Sequence, residues 1–210
     1  MNLYKLLENP TCYRMVVRLF SMGGRAGKIA GFVDELMARE CRGRVLEVGS
    51  GTSQFRPIFL KYVNNYVATD INFQYVHYAK NDFNTLQYAV CDAAFLPFMS
   101  LMFDRAFCLY LFHHLSDQQT VNTLKEMQRC LKPDGKIIIV DLFQPEKRWD
   151  LISQLVAYLD RGQYVRRRNL MISLIKESGN FEVEAHHGVP GEWPYVMSSF
   201  VLSQNSDTYR

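Results

Sequence analysis

Several things are missing from this chain, and each absence removes a class of protein. The five cysteines (Cys12, Cys41, Cys91, Cys108, Cys130) include no C-x-x-C pair, and their number is odd. That scatter argues against a disulfide framework and for free thiols in a reducing compartment. No apolar run reaches the length of a membrane span. Glu8, Arg14 and Arg18 interrupt the N-terminal stretch, so no secretory signal is expected there and the cytoplasm is the expected setting. The net charge of +3 is too small to imply nucleic acid by itself. No G-x-G-x-x-G opens a helix for a pyrophosphate, and Arg25-Ala26-Gly27-Lys28 lacks the spacing of a phosphate loop. There is no internal repeat and no low-complexity segment. What remains is a chain of 210 residues, 48% apolar, which suits one domain with a real core.

The stretch Val45-Leu46-Glu47-Val48-Gly49-Ser50-Gly51-Thr52-Ser53 organises the rest. It reads as a buried strand running into a glycine turn, followed by a helix over residues 54–62 whose amide donors face back toward the turn. Gly49 and Gly51 permit a sharp bend and a close approach of ligand to bare backbone. In an open parallel sheet, ligands sit beyond the carboxyl ends of the strands. Asp70 ends the next apolar run, Tyr66 to Thr69, about twenty residues past the turn, where a carboxylate can take a ribose diol.

Around this stretch the chain alternates strands with helices, the α/β pattern. Asn9-Pro10 starts one amphipathic helix and Ile29 to Met37 marks a second, together a lid at the sheet edge, with closure over the ligand and a part in choosing the substrate as the other reading. Further strands are expected at residues 86–90, 103–110 and 136–140, the last a pure Ile/Val run buried on both faces. Ser116 or Asp117 caps a long helix carrying Val121, Leu124, Met127 and Leu131. Lys132-Pro133-Asp134-Gly135 reads as a turn. Strands one, two, three and five end on or beside Glu47, Asp70, Asp92 and Asp141. Four acids at the ligand end of one sheet are hard to assign to chance. Beyond Asp141, helices are expected at 149–160 and 169–177, then strands at 181–185 and 195–202 as a closing pair.

These residues resemble a class I S-adenosylmethionine-dependent methyltransferase of the small-molecule type, similar to the ubiquinone/menaquinone-biosynthesis methyltransferases. Four stretches carry the resemblance: Val45 to Gly51, Asp70, Asp92-Ala93-Ala94-Phe95-Leu96-Pro97-Phe98 before Phe103-Asp104, and Leu131 to Lys136. The segment Leu111-Phe112-His113-His114-Leu115 also fits. The match spans about residues 40 to 145, and the motifs together, in this order, are specific. The family fold implied is a Rossmann-like seven-stranded sheet, mostly parallel, with an antiparallel last strand and helices on both faces. One domain over residues 1–210 is expected: a helical lid (1–43), a cofactor-binding core (44–141), and acceptor-side helices with the closing strands (142–202). The resemblance implies S-adenosylmethionine as cofactor and S-adenosylhomocysteine as product. Glu47, Gly49, Ser50 and Gly51 would hold the methionine part. Asp70 would bind the ribose, Ile71 would pack on adenine, Asp92 would accept the adenine amino group, and Ala93 would offer an amide. Phe112 and His113 would line the pocket near the sulfonium. The family usually has a third glycine where Ser53 stands.

A cationic sulfonium favours carboxylates and aromatic faces. Methyl transfer mainly needs positioning of donor and acceptor, and a base only if the acceptor must lose a proton. His113 is the candidate base. Adjacent side chains diverge, so at most one of His113 and His114 faces the pocket; a pocket wall or a structural histidine is the alternative. His186-His187 lacks a third ligand nearby, so no metal is expected. Arg166-Arg167-Arg168 is the most basic spot, read as a solvated face or helix start, with an anionic substrate, lipid headgroup or RNA as the other reading. Trp193 and Tyr195 are candidate walls of the acceptor pocket or edge packing. The partner expected is a small-molecule methyl acceptor, with peripheral membrane contact left open. A methyltransferase-like binding or assembly protein without turnover is the alternative function; nicotinamide-dependent reduction is disfavoured by the turn sequence.

Overall fold

A computed structural model describes residues 25–82, 87–146, 150–154, 163–187 and 196–204. In chain order the described elements are α1 (Arg25–Glu40), β1 (Arg44–Val48), α2 (Arg56–Phe59), β2 (Asn65–Asp70), α3 (Phe73–Asp82), β3 (Gln87–Val90), β4 (Phe103–Leu109), a 3-10 turn (Phe112–His114), α4 (Asp117–Cys130), β5 (Leu131–Phe143), α5 (Arg168–Ser178), β6 (Phe181–His187) and β7 (Val196–Gln204). The seven strands form one sheet in the order β3-β2-β1-β4-β5-β7-β6. The first five are parallel, and β7 runs antiparallel between β5 and β6.

Alternation along the strands sorts the core onto two faces. Leu46 and Val48 pack with Leu124 and Met127 of α4 and with Met171 and Ile175 of α5. Val45 packs with Val33 and Met37 of α1, with Phe59, and with Phe107. In β5, Ile137 and Ile139 serve the first face while Ile138 and Val140 serve the second. Such a strand is covered on both sides, which is why it reads as an unbroken aliphatic run. Ser116 begins α4 with a reciprocal capping box to Gln119, a device worth about 1 kcal/mol.

Three expectations change. The helix expected at residues 54–62 shrinks to Arg56–Phe59. On both sides of it the chain makes i to i+3 turns: Arg56 N–H donates to the Ser53 carbonyl at 3.2 Å, and Lys61 N–H to the Ile58 carbonyl at 3.1 Å. The Arg56 amide is therefore spent on the Ser53 carbonyl rather than offered to a ligand beyond the turn. The turn expected at Lys132–Gly135 lies inside β5, absorbed as a shift in its register with β4 between Phe103 and Arg105. Arg166 is not on a solvated face; it is 5% exposed, while Arg168 does begin α5. The helix expected at 149–160 is described only at 150–154, of which 151–154 are helical. The first N-terminal helix, Trp193 and Tyr195 lie outside the described residues.

Candidate active site at the strand tips

The strand order reverses between β1 and β4, and the crevice at such a switch point is where an open α/β sheet takes its ligand. The glycine turn stands there. Gly49 has φ 73°. A Cβ on Gly49 would lie 2.8 Å from the Leu111 side chain, so the bare backbone lets the β4 loop close against it. The Gly49 and Ser50 amides donate to the Thr69 carbonyl at 2.9 and 2.8 Å, which ties the turn to β2.

Asp70 joins the two loops. Its Oδ2 accepts the Gly51 amide at 2.7 Å and its Oδ1 accepts the Asn72 amide at 2.8 Å. Burial pushes the carboxyl up from its ordinary range, against the amides of Asn72, Gly51 and Ile71, which favour the ionised form. Next to it Ile71 is 71% exposed, an apolar face turned to solvent beside a carboxylate. Asp92 is exposed, and its Oδ1 accepts the Ala94 amide at 2.9 Å; Ala93 is half-buried. The Cys91 amide donates to the Asp70 carbonyl at 3.1 Å, so the tips of β2 and β3 are continuous.

Glu47 is buried at the end of β1 and accepts a hydrogen bond from the Tyr66 hydroxyl. Burial lifts its carboxyl to about 8, with the neighbouring Asp70 charge adding and the Tyr66 bond opposing. Sequence reasoning placed Glu47 but missed Tyr66. Only the register, Val45 beside Tyr66, puts the two side chains on one face.

The other side of the crevice is the 3-10 turn after β4. Nδ1 of His113 lies 2.5 Å from Oδ1 of Asp141 at the end of β5, and both residues are buried. Oδ2 of Asp141 also accepts the Phe112 amide at 2.6 Å and the His113 amide at 3.3 Å. Arg166 grips the opposite end. Its guanidinium donates to the Phe112 carbonyl at 2.9 Å, the Leu115 carbonyl at 2.7 Å, Thr120 Oγ1 at 3.3 Å and Asp117 Oδ1 at 2.9 Å. An anion thus holds the amide end of the turn and a cation its carbonyl end, the arrangement that opposes the turn's own dipole. The basic run at 166–168 signalled charge, but nothing in the sequence signalled this burial. Asp141 was visible as a strand-tip acid and not as the partner of His113. A cavity of about 350 Å³ flanks this turn, lined by Asp117, Gln144, Tyr164, Val165, Arg166, Arg167 and Leu170.

The structure therefore brings Glu47, the glycine turn, Asp70 and Asp92 to one end of the sheet, and Phe112 and His113 to the tip of the adjoining strand. The residues suit a nucleoside carrying a charged amino acid: carboxylates for the ribose and the ammonium, and buried hydroxyls on Ser50, Thr52 and Ser53 in the turn that have no partner among the described residues. No group of three or more His, Cys, Asp or Glu gathers as a metal ligand set among the described residues.

Such a sheet defines a Rossmann-like α/β domain, seven-stranded and mostly parallel, with its candidate site at the strand tips. Residues 46–139 match the family described as Methyltransferase domain. Through that stretch the chain is similar to S-adenosylmethionine-dependent methyltransferases. It is 30% identical over 129 residues to an uncharacterized methyltransferase, YcgJ, of Bacillus subtilis, covering 58% of this chain and 49% of that protein. It is 29% identical over 136 residues to the ubiquinone/menaquinone biosynthesis C-methyltransferase UbiE of Teredinibacter turnerae, covering 58% of this chain and 54% of that protein. The matched stretch thus spans about half the length of these curated relatives. A crystal structure of a SAM-dependent methyltransferase from Aquifex aeolicus superposes with a TM-score of 0.68 at 18% identity, covering 92% of this chain and 97% of that one.

Proposed function

We propose that this protein transfers a methyl group from S-adenosylmethionine to a small organic acceptor. The observation that carries this reading is the junction at Asp70, whose two carboxylate oxygens are held by the amides of Gly51 and Asn72 at the mouth of the crevice. There it is fixed in place to accept from a ribose diol. In this reading Glu47 takes the ammonium, Gly49, Ser50 and Gly51 offer backbone to the amino-acid end, Ile71 covers one adenine face, and Asp92 with Ala93 reads the adenine edge. Phe112 walls the sulfonium. The bound cofactor supplies an already activated methyl carbon; the protein's share is alignment and exclusion of water.

His113 is the proposed base. Asp141 can only accept when ionised, so it keeps the proton on Nδ1 and makes Nε2 the basic nitrogen of the ring, the atom proposed to take a proton from an acceptor hydroxyl or an acidic carbon. The cavity beside the turn is the proposed entry for the acceptor, with Tyr164, Val165 and Leu170 as its apolar side. One working domain is proposed, with residues 1–43 as lid, 44–141 as cofactor core and 142–202 shaping the acceptor side. No helix among the described residues is long and apolar enough to cross a membrane. Cys41, Cys91, Cys108 and Cys130 carry free thiols, which suits the cytoplasmic setting proposed.

The burial of His113 favours a second reading, a binding protein that keeps the cofactor site without turnover. Titration calorimetry with S-adenosylhomocysteine tests what the two share, and no detectable binding removes both. Incubation of a metabolite extract with labelled methyl donor separates them. Labelled product supports transfer; none from any extract leaves the binding role.

A further inference from the structure

Three buried polar side chains stand together in the glycine turn. Ser50, Thr52 and Ser53 are 8%, 5% and 1% exposed, and none of their hydroxyls has a hydrogen-bond partner among the described residues. A buried hydroxyl left unpaired destabilises the folded state. Ser53 carries a second cost, because its φ is 55°, in the left-handed region that disfavours a side chain. Its backbone contacts do not need the side chain: its amide donates to the Ser50 carbonyl at 2.8 Å, and its carbonyl accepts from Arg56 N–H. Glycine would keep both bonds and remove both costs. Strain and an orphan hydroxyl at one residue, beside two more orphans, point to a ligand that uses them.

We propose that the Ser53 hydroxyl, with those of Ser50 and Thr52, binds the carboxylate at the amino-acid end of the cofactor. The inference rests on the reading that this turn holds S-adenosylmethionine. Of the two charged groups at the amino-acid end of that molecule, the carboxylate is the one that needs donors. Glu47, just before the turn, is an acceptor suited to the ammonium, and Asp70 is an acceptor suited to the ribose. The hydroxyls are the turn's only side-chain donors between these two acids, and each can donate to a carboxylate oxygen. Serine in place of glycine at this position therefore trades stability for grip on the amino-acid end.

The test uses two probes, S-adenosylhomocysteine and 5′-methylthioadenosine, the same thionucleoside without the amino-acid end. Both are titrated into the wild-type protein, S53G and S53A, and each variant is melted. Both variants should bind S-adenosylhomocysteine about tenfold more weakly, the loss of one hydrogen bond to a charged group, and methylthioadenosine unchanged. S53G should melt about 2 °C higher than wild type; S53A sheds the orphan hydroxyl but keeps the strain, so its gain should be smaller. Unchanged affinity for S-adenosylhomocysteine in both variants overturns the proposal. So does equal weakening for both probes, which would mean a distorted turn rather than a lost contact. A wild-type protein that binds neither probe sinks the methyltransferase reading itself, an outcome seen before any variant is made.

Discussion

Nδ1 of His113 and Oδ1 of Asp141, 2.5 Å apart, join the tips of two neighbouring strands. The same carboxylate holds the amides of Phe112 and His113 through its other oxygen. One buried acid therefore fixes both the ring and the backbone that carries it. Long-range proton–nitrogen NMR should show His113 as the Nδ1–H tautomer. D141N, whose amide can donate to the ring, should lose that preference. Once an acceptor is in hand, H113Q should lower kcat by about 10²- to 10⁴-fold with the Kd for S-adenosylhomocysteine unchanged. A variant that methylates at the wild-type rate would remove His113 from the chemistry.

Glu47 sets a pH dependence. Its carboxyl is raised to about 8, chiefly by burial, from an ordinary value near 4.5. Between those limits the folded protein holds a proton that the unfolded chain has released. Stability from this residue is thus full below about 4.5, falls as pH rises toward 8 and is level above it. Denaturant melts from pH 5 to 8 should show that decline in wild type and a flatter profile in E47Q. An ammonium placed beside Glu47 would favour its ionised form. Binding of S-adenosylhomocysteine near pH 7 should then release protons, read as a calorimetric enthalpy that varies with the buffer's ionisation heat. A buffer-independent enthalpy would separate Glu47 from the ammonium.

Arg166 and Arg167 are adjacent, and their substitutions should differ sharply. R166M strips donors from two backbone carbonyls, from Thr120 and from Asp117, in a buried site. It should cost about 2–4 kcal/mol in urea unfolding. Arg167 is exposed, and R167A should stay within about 0.5 kcal/mol of wild type. Equal losses would mean that the grip on the 3-10 turn contributes nothing.

The contrast between these two arginines shows how far sequence reading reaches. Patterns with short periods were legible: the strand ending in Glu47, the Ile/Val run of β5, and the acids at the strand tips all depend on neighbours in the chain. The serine cap of α4 was narrowed to two adjacent residues for the same reason. Contacts across the sheet were not legible. Tyr66 meets Glu47 through the β1–β2 register, and Arg166 reaches the His113 turn across 54 positions of chain. No local rule says that a triplet of arginines will bury its first member. The short α2 shows a limit of a different kind. The strand-turn-helix reading suggested a helix of nine residues, but the left-handed Ser53 just ahead and tight turns on both sides leave only four in α-helical form.

The two glycines of the turn separate backbone strain from crowding. Gly49 and Gly51 both have positive φ, at 73° and 54°. A Cβ on Gly51 would meet nothing within 4 Å, whereas one on Gly49 would press on Leu111 at 2.8 Å. G51A should therefore cost strain alone, about 1–2 kcal/mol. G49A should cost the same strain plus displacement of the Leu111 side chain, about 1 kcal/mol further, a lowering of the melting temperature by about 4–10 °C in all. Leu111 begins the loop that carries Phe112 and His113, so pushing it away should also loosen that loop. Amide exchange at residues 111–114 should quicken in G49A and stay at the wild-type rate in G51A. Equal melting temperatures and equal exchange in the two variants would show that Leu111 yields freely. The close approach of the β4 loop to the turn would then be incidental rather than the reason a glycine stands at position 49.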